Sequence, residues 1–67
     1  MIKIADKLIN LKHVSWLNIE KQTLVDGSNE WVLWIYFNSG YPLKFPFATE
    51  IAAEHEFQTI HAKMVNL

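Results

Sequence analysis

Apolar and polar positions alternate loosely along the first two thirds of the chain, and near residue 50 the spacing changes to that of a helix. One stretch breaks the alternation. Trp31-Val32-Leu33-Trp34-Ile35-Tyr36-Phe37 is apolar throughout, too short to span a membrane, and rich in the aromatic and β-branched residues that favour strands. As a strand it sends Trp31, Leu33, Ile35 and Phe37 to one side and Val32, Trp34 and Tyr36 to the other. Both sides favour burial, and a chain this small has one helix to offer as cover. The second side is therefore expected to meet something outside this chain: a second copy, a partner protein or a ligand.

The flanking pattern predicts short strands over about 2–5 and 8–11, joined by a tight turn at Asp6-Lys7, then a longer strand over 14–25. In that strand Leu17, Ile19 and Val25 share one parity and Asn18, Glu20 and Gln22 the other, with Trp16 an exception on the polar parity. Asp26-Gly27-Ser28-Asn29 predicts a hairpin into a strand over 30–38, and Asn38-Ser39-Gly40 a second hairpin into a strand over 41–47. A three-residue loop there would set Phe37 opposite Tyr41, Ile35 opposite Leu43, Leu33 opposite Phe45 and Trp31 opposite Phe47. Pro42 and Pro46 share a parity, so their missing N–H groups fall on one flank and mark an edge strand.

Thr49 suits a helix N-cap, with Glu50 and Glu54 near the positive end of the dipole, and the predicted helix runs over about 50–66. Ala53, Phe57, Ile60, Met64 and Leu67 form one apolar stripe for packing on a sheet. A second line, Ile51, His55, Gln58, Ala62 and Val65, repeats the spacing with mixed chemistry. It reads as a solvated face or, alternatively, as a secondary interface of Ile51, His55, Ala62 and Val65 where helices of two copies meet. The whole predicts a single α+β domain: an antiparallel β-meander of four or five strands with one C-terminal α-helix packed on one face.

Composition narrows the chemistry. With 67 residues the domain is near the size at which one core only just suffices, and 51% hydrophobic content with three Trp supplies a dense one. There is no cysteine, which removes disulfides, thiolate metal sites and a thiol nucleophile. All six basic residues are lysine and the formal charge is −1, so arginine-type contacts to phosphate and guanine are absent and nucleic-acid binding is disfavoured. No signal-peptide pattern follows Met1, and the expected location is the cytoplasm, with no membrane segment.

No catalytic constellation emerges. His55 and His61 are roughly 120° apart around a helix and cannot share a metal without distortion; with His13 they complete the histidines. Glu54 and Glu56 flank His55 but face different ways, and no serine sits in a Gly-x-Ser-x-Gly elbow. Gly27 and Gly40 are explained by turns rather than by a phosphate-binding loop. The expectation is a protein that is not an enzyme, with no cofactor and no metal.

The aromatic residues carry more. Trp34, Tyr36 and Trp16, with Val32, are the candidate interface or ligand-binding residues, because Trp and Tyr bury large areas while keeping a polar handle. Burying Val32, Trp34 and Tyr36 would contribute roughly 1.5–3 kcal/mol each. The competing reading hides them under the N-terminal hairpin as ordinary core. The functional reading is a homo-oligomeric assembly or inhibitor-type protein that binds a macromolecule. The alternative is a small-molecule binder in which Trp16, Trp34 or Tyr36 stacks on a flat, nucleotide-like ligand between subunits.

The order Ile4, Leu8-Ile9-Asn10-Leu11, Val14, an alternating strand, a glycine hairpin and a C-terminal amphipathic helix resembles short uncharacterised bacterial and phage proteins. The resemblance spans most of the chain and its motifs are structural. It implies a sheet-plus-helix fold and a mobile-element origin, with no activity to carry over. The tryptophan-rich central strand departs from that pattern and points to an individual partner.

Overall fold

The computed structural model describes residues 1–66. Their order is β1 (Ile2–Ile4), β2 (Lys7–Ile9), a 3₁₀ turn (Leu11–His13), β3 (Val14–Thr23), β4 (Asn29–Phe37), β5 (Leu43–Phe47) and α1 (Glu50–Val65). The fold is α+β, with antiparallel strands and a C-terminal helix. The five strands divide between two sheets: β1 and β2 form a separate hairpin, and β3-β4-β5 a meander with β4 in the centre. Leu67, assigned to the helical stripe from the sequence, lies outside the described residues.

The apolar run of β4 anchors the core. Leu33 and Ile35 are fully buried, and across the sheet Leu33 pairs with Phe45 and Ile19, and Ile35 with Leu43 and Leu17. The expected pairings Ile35–Leu43, Leu33–Phe45 and Trp31–Phe47 are all present, and β5 is an edge strand as its prolines require. The fourth pairing is not. Tyr41 lies in the loop before β5 and is 93% exposed, while Phe37 pairs with Val14 on the other side. β5 begins only at Leu43, and Gly40 makes the loop before it with φ +89°.

The helix covers this face. Thr49 Oγ1 accepts from the Ala52 N–H at 3.2 Å, capping α1 as expected. Ala53 and Ile60 are fully buried, and Phe57 and Met64 pack at the margin of the same core. The hairpin covers it too. Ile2, Ile4, Ile9 and Leu11 join Leu33, Ile35, Phe45 and Ile60 in one cluster. The molecule thus has two layers, with every covering element on one side of the meander.

Two details near the N-terminus differ from the sequence pattern. The β1–β2 turn is Ala5-Asp6, not Asp6-Lys7, because Ile4 pairs with Lys7. Ala5 takes φ +55°, the one non-glycine residue with positive φ among those described. Leu11 ends outside β2 because Asn10 Oδ1 accepts from the Lys12 N–H at 3.1 Å and caps the 3₁₀ turn instead of extending the strand. At the far hairpin, β3 stops at Thr23, so Val25 sits exposed in the turn rather than on the apolar face. There Asp26 Oδ1 accepts from both the N–H and the hydroxyl of Ser28, at 2.9 and 2.6 Å.

Candidate functional site

Among the described residues, nothing covers the far side of the meander. Strand alternation places Trp16, Asn18, Glu20 and Gln22 of β3 there, with Glu30, Val32, Trp34 and Tyr36 of β4 and Lys44 and Pro46 of β5. The competing reading, in which the N-terminal hairpin hides these aromatics, is excluded by that hairpin's place in the opposite core.

A bulge at one end of β3 turns Val14 away from this face. Between Val14 and Trp16 the register slips by one residue. Val14 and Trp16 have the same parity, yet Val14 is buried in the core and Trp16 stands on the open face, because the extra residue, Ser15, reverses the alternation. The Ser15 hydroxyl donates to the Tyr36 carbonyl at 3.1 Å and fastens the bulge to the central strand. Trp16 keeps the register and parity of Asn18, Glu20 and Gln22, so the sequence alone places it on their face; what the bulge changes is Val14, which it turns into the core, and the bulge itself carries no residue signature.

The aromatic side chains form a ladder across the face. Trp16 and Tyr36 are cross-strand partners whose rings stack at 3.9 Å with planes 4° apart. Two residues before Tyr36 along β4, Trp34 continues the row with ring centres 6.1 Å apart. Beyond it, on β5, the Lys44 ammonium lies 5.8 Å from the Trp34 ring centre, within cation–π range. Trp16 is 52% exposed, and Trp34 and Tyr36 are half-buried. Val32 belongs to the same face but is only 2% exposed, between its cross-strand neighbours Glu20 and Pro46. It serves as the floor of the site rather than as a contact residue.

The ladder's spacing restricts its chemistry. A separation of 3.9 Å is a single stacking layer, so Trp16 and Tyr36 already satisfy one another and leave no slot between them for a flat ligand. The row instead offers ring edges and the outer ring face of Trp16. Around it stand Glu20, Glu30 and Lys44, a mixed and net acidic rim.

The helical candidates are separate from this face. Ile51, His55, Ala62 and Val65 are all exposed on the outward side of α1, with Ile51 82% exposed. Ile51 and His55 line an open depression of about 360 Å³ with Glu50, Glu54 and Gln58. A second hollow of about 350 Å³ lies beside Lys3, Ile4, Ala5, Phe45, Pro46, Phe47 and Glu56, where the N-terminal hairpin approaches β5. Among the described residues no three His, Asp or Glu side chains gather closely enough to hold a metal ion, and no helix is long and apolar enough to cross a membrane.

No protein-family model matches the chain, and neither the curated proteins nor the solved structures contain a significant match.

Proposed function

We propose that this chain is a non-enzymatic binding and assembly protein of the cytoplasm that engages a partner protein through the aromatic face built by Trp16, Trp34, Tyr36 and Lys44. One observation carries the reading: helix and hairpin both pack on the same side of the meander, leaving the Trp16–Tyr36–Trp34 row open on the other. Aromatic anchors with polar handles, a lysine at one end and acidic groups around the rim match the make-up of protein-binding hot spots. The small-molecule alternative is less well supported, because the closest ring pair is already self-stacked. Nucleic acid fits poorly with Glu20 and Glu30 on the same face and no arginine in the chain.

The test uses Trp34→Ser in cells that make the protein, with complexes trapped by cross-linking and sized by native mass spectrometry. The variant should keep the wild-type circular dichroism spectrum and lose the wild-type complexes with other proteins. Retention of every complex by a folded Trp34→Ser protein refutes the assignment of the face. Saturable quenching of tryptophan fluorescence by nucleotides would move it to the small-molecule reading.

A further inference from the structure

The meander has two edges of opposite character. The β5 edge carries Pro42 just before the strand and Pro46 within it, whereas β3 has ten residues, Val14–Thr23, and no proline. Among the described residues only β4 is hydrogen-bonded to β3, and the N-terminal hairpin lies beside Phe45, Pro46 and Phe47 at the β5 side of the molecule.

The backbone groups that β3 offers can be read from its ladder. The Leu24 N–H donates to the Ser28 carbonyl at 2.7 Å, one step beyond the Thr23–Asn29 pair. Hydrogen-bonded and non-bonded pairs alternate in an antiparallel ladder, so Gln22, Glu20 and Asn18 bond to β4. The N–H and C=O groups of Leu17, Ile19, Lys21 and Thr23 therefore point outward. Leu17 and Ile19 are also only half-buried on the core face at this edge.

We infer that β3 pairs with β3 of a second copy of this chain, antiparallel about a twofold axis at Ile19, joining the two meanders into one six-stranded sheet. This deepens the assembly part of the function proposed above, and it uses the strand edge rather than the aromatic face. Charge and the extent of the regular stretch together select the register. Centring on Glu20 or Lys21 would oppose like charges across the axis, which is destabilising. Centring on Ile19 opposes Ile19 to its own copy, Leu17 to the Lys21 stem, Asn18 to Glu20 and Trp16 to Gln22. That register uses the whole regular stretch from Trp16 to Gln22, beyond the bulge. It forms about six inter-chain hydrogen bonds, two for each outward-pointing pair.

The covering layers permit it. The helix contacts all three strands and packs most against β4, one strand in from the edge. In the joined sheet the two central strands are three strand spacings apart, roughly 14 Å, enough to seat two helices side by side without collision. Both aromatic ladders then lie on one continuous face.

Because the chain has no cysteine, single cysteines report the register directly. Asn18→Cys and Glu20→Cys variants, mass-tagged differently, are mixed and oxidised mildly, with Lys44→Cys on β5 as the control. The expected result is an 18–20 covalent heterodimer several-fold above both the 18–18 and 20–20 products and the Lys44→Cys control. Predominance of the 18–18 product overturns the register, and yields no higher than the control overturn the pairing. Added Trp34→Ser leaves the 18–20 product unchanged if edge and face act separately. Loss of partner complexes in that variant without any 18–20 product would leave the face reading standing and remove this one.

Discussion

Replacing Ala5 by glycine should stabilise this protein, against the usual effect of glycine. Ala5 is the first of two loop residues between Ile4 and Lys7, and its φ is +55°. A positive φ at the first loop position is the type II′ pattern, which favours glycine there. An L-residue held in the left-handed region costs about 1–2 kcal/mol relative to the right-handed one. Glycine removes that cost but gives the unfolded chain more freedom, an opposing effect of about 0.4–1 kcal/mol. Ala5 is exposed, so deleting its methyl group removes little packing. The midpoints of these two effects leave a gain of about 0.8 kcal/mol. With a urea slope of about 1 kcal/mol/M for a small domain, the unfolding midpoint should rise by about 0.8 M. The control is Ala62→Gly, at an exposed position inside α1, where glycine should lower stability by about 0.5–1 kcal/mol. If Ala5→Gly leaves the midpoint unchanged or lowers it, the conformational account of this turn is wrong.

Two further outcomes follow from the packing and the far hairpin. Ile60→Ala removes a fully buried side chain and should cost roughly 2–5 kcal/mol, enough to unfold much of a marginal domain, whereas Ile51→Ala on the outward side should stay within about 0.5 kcal/mol. Equal midpoints in urea titrations of the two variants would mean that the helix is turned differently about its axis. Hydrogen bonds from the Ser28 hydroxyl and N–H hold the Asp26 carboxyl below its usual value. A folded-state pKa below the unfolded one adds stability at pH above the ordinary value, and that increment disappears as pH falls through the lowered one. Asp26→Asn should therefore remove that increment at neutral pH and flatten the fall in stability below about pH 4, so that the two proteins' thermal melts converge at acid pH.

Much of the architecture is legible in the residues. The helical stripe through Ala53, Phe57, Ile60 and Met64 is a periodic signal over several turns, and α1 packs by it. The β4–β5 register follows from a glycine turn and two matched apolar parities, which tolerate few alternatives. Local pattern fails where pairing depends on a neighbour. Nothing in Lys7-Leu8-Ile9 says that Leu8 faces solvent while Ile9 joins the core, since the Ala5-Asp6 turn sets that register. Nor does alternation reveal a bulge, because Val14 and Trp16 read as one face until Ser15 is taken out of the count. Which side the β1–β2 hairpin covers is a property of the assembled molecule. It decides whether Trp34 and Tyr36 are core or surface, so the residues that nominated the site could not by themselves establish that it was open.

The two prolines of β5 have a consequence for growth. A sheet that can extend at both margins is a template for fibres, whereas a margin without the needed N–H donors is a dead end. Pro42 and Pro46 place that dead end on one flank of every molecule, so recruitment of strands can proceed in one direction only. With that direction taken by the proposed twofold mate, the product would be a closed particle of fixed size rather than a filament.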